Sequence, residues 1–318
     1  MKGIFVNKSG QIRSGWKMAI VGVLYFVIAN IITIVPTMIY FLKTIYETVK
    51  NGGSVNFDTA ELTADLLSHP LYGTIVSVLS YLSLIAAIII VLKFIDKKRL
   101  KDIGLNNPIN HIKELIFGLL LGAVSISLVF AILLLSGNLK MANGFNEPNF
   151  NIQQVTGLIL FIFVGIDEEM FSRGYCMTVL QQTGKKWVPP VISAVIFSLL
   201  HLLNPNVSFM GILNIFLVGL LLSYMTIKTR DIWMPIGYHI TWNYFQGNVF
   251  GLAVSGTSRN GIYNVEYIRD NLLTGGGFGP EGGIVATGAI ILGFLLVFLY
   301  SKYVGRNVKE EIPVQISN

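Results

Sequence analysis

Residues 162–174 read Ile162-Phe-Val-Gly-Ile-Asp-Glu-Glu-Met-Phe-Ser-Arg-Gly174, and they place Asp167, Glu168, Glu169 and Arg173 inside an otherwise apolar run. The residues from Val155 to Ile166 are nearly all apolar, and Met177 to Leu180 resume the pattern. A charge near the centre of a bilayer costs about 2.5–3.5 kcal/mol on insertion scales. Four charges so close together must pair, face a wet cavity, or do chemistry. On a helix Glu169 and Arg173 are i, i+4 neighbours with the acid N-terminal, the favourable order for an ion pair. Glu168 lies about 100° away around the helix. The simplest arrangement ties Glu169 to Arg173 and turns Glu168 to a cavity. The reverse assignment is nearly as good, and a purely structural ion pair is the plainer alternative.

The rest of the chain has the composition of a membrane protein. Of its 318 residues 53% are hydrophobic and 13% charged, with a mean hydropathy of +0.65, whereas a soluble domain carries about 25% charged residues. The expected fold is all-α, a polytopic bundle of about eight transmembrane helices at roughly 18–42, 71–95, 114–136, 154–180, 187–203, 208–227, 232–254 and 283–304. Helices 1–3 (residues 1–153) lead into a core at 154–254. An outer loop, a last helix and a tail (255–318) follow. Lysine and arginine number 17 on the side of the termini and five on the other, which predicts cytoplasmic N- and C-termini. The basic residues sit at segment ends, so the net charge of +6 is no nucleic-acid signal. Cys176 is the lone cysteine and gives no disulfide within the chain. The Gly-rich run Gly275 to Gly283 has no Gly-Lys-Ser/Thr ending and reads as a flexible re-entry loop, not a phosphate loop.

Two further segments bring polar groups to depth. The fifth ends with Phe197 and His201, and the seventh carries His239 and Asn243 at i, i+4 on one face. At about 1.5 Å per residue, Glu168, His201 and Asn243 reach similar heights, with His239 about a turn nearer the cytoplasm. Taken singly, a buried His is often a packing residue and an Asn is helix glue. Together, two imidazoles, a spare carboxylate and an amide suit one of two chemistries. Glu168, His201 and His239 are candidate ligands for a divalent metal such as zinc. Without metal, a carboxylate and a His activate water while a His and an Asn donate to an oxyanion. No H-E-x-x-H or G-x-S-x-G motif occurs, so activated water is favoured over a covalent route.

Glu168-Glu169-x-x-x-Arg173, Phe197-x-x-x-His201 and His239-x-x-x-Asn243, in this order on successive apolar segments, resemble the CPBP family. This family holds the type II CAAX prenyl endopeptidases and the bacteriocin-processing or Abi proteins. Arg173-Gly174 and the stretch Asp231-Ile232-Trp233-x-Pro235-Ile236 extend the resemblance, which covers roughly residues 154–254. Ser172 stands where an aromatic usually precedes the arginine, a packing position. The resemblance implies an eight-helix intramembrane endopeptidase, open to the cytoplasmic side, in a bacterial cell membrane. Its catalytic candidates are Glu168, Glu169, His201, His239 and Asn243, with Arg173 and Phe197 in support. Glu168 and His201 would activate water, and His239 and Asn243 would hold the oxyanion. The family is labelled metalloprotease, and a metal-free glutamate mechanism is also proposed for it. The implied partners are a membrane-associated protein or peptide substrate and the lipid bilayer, with no nucleic acid. Two other classes compete: a non-catalytic immunity or scaffold protein of the same family, and a proton-coupled transporter. The transporter would show broken helices in paired repeats, which the sequence lacks.

Overall fold

Helix α1 (Ser14–Lys50) packs against α3 (Pro70–Val91), with the short α2 (Thr59–Ser68) between them in sequence. These and the elements below come from a computed structural model that describes residues 2–53 and 58–304. The tail at 305–318, with Arg306 and Lys309, lies outside the described residues. Helix α1 runs well beyond the expected span of 18–42, because no helix breaker follows residue 42 and Thr44 to Lys50 still form good turns. Much of the stretch between the first two expected spans is therefore helical. Asp58 caps α2 by accepting from the amides of Ala60 and Glu61.

The other helices of more than one turn are α4 (Ile112–Leu135), α5 (Ile152–Glu169), α6 (Val188–Leu200), α7 (Phe209–Thr229), α8 (Trp233–Tyr244) and α9 (Ile284–Tyr303). Among the described residues, five helices are long and apolar enough to cross a membrane: Ser14–Lys50, Pro70–Asp96, Leu100–Leu135, Phe209–Thr229 and Ile284–Tyr303. The chain is thus a polytopic helical membrane protein. The three other expected spans, on α5, α6 and α8, are those that carry the candidate site residues. Helix α5 is cut by its acids, α6 has 13 residues, and α8 has 12 before a π turn at Phe245–Val249.

Helix α8 is held most closely by α4. Gly118 and Gly122 of α4 face the carbonyls of Met234 and Tyr238, and Gly237 of α8 faces the backbone of Leu115 and Leu119. With no Cβ on either side the two backbones approach closely. Thr241 then donates its hydroxyl to the Leu119 carbonyl at 2.7 Å. The apolar partners Leu121, Ile126, Leu221, Met234, Tyr238 and Trp242 fill the space between α4, α7, α8 and α9. A second apolar cluster joins α1, α3 and the residues after α5 through Val21, Ile88, Val91, Met170 and Tyr175. Asp96 binds Lys17 and accepts from the Tyr175 hydroxyl at 3.2 Å, which ties both ends of that cluster together.

The outer connections carry a two-stranded antiparallel ribbon, β1 (Leu139–Met141) with β2 (Val265–Tyr267), in the register Leu139↔Tyr267. The Gly-rich run is built into the protein instead of hanging free. Phe278 is fully buried and Pro280 and Gly282 are buried, while Asn214 of α7 donates to the carbonyls of Glu281 and Gly283 at 2.8 and 2.9 Å. Its glycines are needed for conformation: Gly275, Gly276 and Gly279 all have positive φ.

Candidate active site

Glu169 is fully buried at the end of α5, and its Oε1 accepts from two side chains: Arg173 Nη1 at 3.0 Å and His239 Nδ1 at 2.9 Å. Arg173 spends its other terminal nitrogen on the Gly219 carbonyl at 3.3 Å and lays its guanidinium over the Phe197 ring at 4.2 Å. The chain just after Glu169 widens into a π helix over Met170–Cys176, a device found often at functional sites. Ser193 of α6 donates to the Ser172 carbonyl at 2.7 Å, which satisfies a backbone group there.

Glu168 points the other way, onto the wall of a cavity of about 480 Å³, within the usual size of a ligand site. His239 reaches the same wall, with Nε2 3.9 Å from Glu168 Oε2. Since Nδ1 is engaged by Glu169, the cavity meets Nε2. His201, at the C-terminal end of α6, donates from Nδ1 to the Phe197 carbonyl at 2.8 Å, which leaves its Nε2 for the cavity. Phe197 lies between the two imidazoles, 4.8 Å from the His201 ring and 6.1 Å from that of His239. Asn243, one turn beyond His239, lines the cavity as well. Five of the seven residues singled out from sequence, Glu168, Phe197, His201, His239 and Asn243, thus share one cavity. Glu169 and Arg173 stand behind it.

Several cavity residues carry no motif. Asp167 is buried with an unbonded Oδ1. Tyr25 and Tyr81 come from α1 and α3. Ser255, Arg259 and Glu281 come from the connection between α8 and α9. Ser255 has a left-handed backbone (φ 46) and gives its amide and hydroxyl to Glu281 Oε2 at 2.6 and 2.9 Å. Burial raises the Glu281 carboxyl above its ordinary value, against the Ser255 bonds and the fields of His201 and His239, which lower it. A strained non-glycine residue holding a half-buried carboxylate is a mark of a functional site. The only sequence signal for Glu281 was an acid set among glycines. The loop wall of the cavity, with Asn204, Ser255, Arg259 and Glu281, lies on the connections that the lysine and arginine count assigns to the outer side. That count and the cytoplasmic opening implied by resemblance conflict at this wall.

The residues do not fit a metal centre. Among the described residues no group of three His, Cys, Asp or Glu side chains is placed to hold an ion. The expected ligand set of Glu168, His201 and His239 is not assembled as one.

The fold and the site define the class: an integral membrane protein whose helices enclose a cavity lined by a carboxylate, two imidazoles and an amide. Residues 151–245, the region that carries the motifs, match the model of the Rce1-like family of type II CAAX prenyl endopeptidases. The chain is also similar to the uncharacterized protein YyaK of Bacillus subtilis (strain 168), with 27% identity over 235 residues, 71% of this chain and 74% of that protein. No solved structure matches.

Proposed function

We propose that the protein is an intramembrane endopeptidase that hydrolyses a peptide bond of a membrane-associated protein or peptide through a water activated by Glu168. One observation carries this reading: a single oxygen of Glu169 binds Arg173 and His239 together, which leaves Glu168 on the cavity wall with His201 and Asn243. In this reading Glu168 takes a proton from water, and His201, held through Nδ1, presents Nε2 to the same water or to the leaving amine. His239 donates from Nε2 to the developing oxyanion. It does so with both nitrogens protonated, a state that balances the charge of Glu168, Glu169 and Arg173. The Asn243 amide is the second donor. Glu169 and Arg173 act by fixing the ring of His239.

The test is a comparison of membrane fragments by mass spectrometry from cells with wild-type protein or Glu168→Gln at matched levels. A defined fragment that depends on Glu168 is expected. If no fragment differs while Glu168→Gln still complements a null phenotype, the protein is a scaffold or immunity protein and the polar residues are structural.

A further inference from the structure

Glu281 is an acid of the cavity that lies outside every motif and outside the Rce1-like match. The chain builds a seat for it from three sides. Its backbone carbonyl accepts from Asn214 of α7 at 2.8 Å. Left-handed turns at Gly275, Gly276 and Gly279 lead the chain back to this point. Ser255, itself left-handed, gives its amide and its hydroxyl to Oε2. Those two bonds hold the carboxyl and leave Oε1 to the cavity. The titratable groups that face it are His201 of α6, His239 and Tyr238 of α8, and Tyr267 of β2. Asp167, Glu168 and Arg259 line the same cavity. Like-charged acids in one cavity disfavour each other's ionised forms, so carboxyls in unlike surroundings divide the roles of acid and base. In keeping with this, burial raises Glu281 above its ordinary value.

We propose that Glu281 is a further catalytic residue, the general acid that protonates the leaving amine while Glu168 serves as the base. The proposal rests on the endopeptidase reading and divides its proton transfers between two carboxyls. Glu168 takes a proton from water, and the water oxygen bonds to the carbonyl carbon. When the tetrahedral intermediate collapses, the C–N bond breaks. The nitrogen keeps the electron pair and takes the proton from Glu281 Oε1. One proton then passes from Glu168 to Glu281 through water and restores both groups. An amine does not leave as an anion, so the reaction needs a donor as much as a base. His201 is then free to orient the attacking water. If Glu281 only tied Ser255 to the Gly-rich run, its loss would act alike on every leaving group.

The test uses the full-length protein in proteoliposomes and two probes built on the sequence at the Glu168-dependent cut. One is the peptide itself. The other is its thioester analogue, whose thiol has a pKa of about 8.5 and so leaves as thiolate without a donor. Glu281→Gln keeps an oxygen for Ser255 and removes the acidic proton. It is expected to lose about a hundredfold to ten-thousandfold on the peptide and little on the thioester, at unchanged thermal midpoint. In the wild type the peptide rate should fall as pH rises through the titration of Glu281, a limb that the thioester rate lacks; this needs no variant to fold. Infrared difference spectra at neutral pH should show a neutral carboxyl band that Glu281→Gln removes and Glu168→Gln keeps. Equal losses on both probes, the same pH profile for both in the wild type, or an ionised Glu281 at neutral pH overturns the proposal. Each of these, with Glu168-dependent cleavage intact, leaves the endopeptidase reading standing. Absence of Glu168-dependent cleavage of either probe refutes that reading and this role with it.

Discussion

Gly237→Ala is a small change that should move His239. A Cβ at Gly237 would lie 2.5 Å from the Leu115 carbonyl oxygen and 2.8 Å from the Leu119 amide nitrogen. Both are backbone atoms of α4, so no side chain can rotate away. Cβ contacts at 3.0–3.4 Å are already tight, so α8 must retreat by about half an ångström to one ångström. That retreat acts two residues from His239, whose Nδ1 sits 2.9 Å from Glu169 Oε1. His239 lies about 200° around α8 from Gly237, so the retreat drives its ring toward Glu169 and Glu168 and distorts this bond. Overpacking of this kind costs about 1–3 kcal/mol, and a 1 Å misplacement near the chemistry can cost about a hundredfold in rate. The assay is thermal unfolding in detergent, then cleavage of the substrate fragment in proteoliposomes. Gly288→Ala in α9 is the control, because nothing lies within 4 Å of that position. A lower midpoint and at least a tenfold loss of cleavage are expected for Gly237→Ala, and neither for Gly288→Ala. If both variants match the wild type, the close seat of α8 on α4 is not what positions His239.

Three other outcomes follow from the geometry. Arg173→Ala leaves the fully buried Glu169 without its main counter-charge and should destabilise by about 3–5 kcal/mol, read by the same unfolding assay; Glu169→Gln with Arg173→Met should recover much of that loss. At the turn between α7 and α8, burial pushes Asp231 up from 3.8 to about 6, although the Trp233 amide and His111, 2.6 Å away, lower it. A raised carboxyl means that the native state holds the proton more tightly, so this contribution to stability is full below about pH 4 and is lost as pH rises through about 6. The titration belongs to the Asp231–His111 pair; the unfolding midpoint should fall across that window in the wild type and stay flatter in Asp231→Asn. Finally, Ser258→Cys should react with a membrane-impermeant maleimide from outside intact cells and Lys101→Cys should not, while the buried native Cys176 stays silent. The opposite pattern would overturn the orientation read from the lysine and arginine count.

Much of the site was legible in the chain because its spacings are local. The i, i+4 step from Glu169 to Arg173 holds in the structure as an ion pair even across the π turn. The step from Phe197 to His201 reappears as a ring contact and an Nδ1 bond to the Phe197 carbonyl. Hydropathy announced a helical membrane protein, since an apolar run of span length has few other uses. Its limits show at α5, α6 and α8, where the polar residues that make the site also shorten or interrupt the apolar run.

What tertiary structure decided is which groups meet. Spacing favoured Glu169 as the partner of Arg173 but named no third group; the approach of α8, allowed by Gly118, Gly122 and Gly237, brought His239 Nδ1 to Glu169 and left Glu168 to the cavity. Nor did local pattern reveal Arg259 and Glu281, which lie far along the chain from the acids. They reach the cavity because left-handed turns at Ser255, Gly275, Gly276 and Gly279 fold the last connection back over it. Periodicity reports the face of one helix, whereas convergence of separate segments depends on backbone approach and turn geometry, which act across hundreds of atoms and leave only scattered glycines in the sequence.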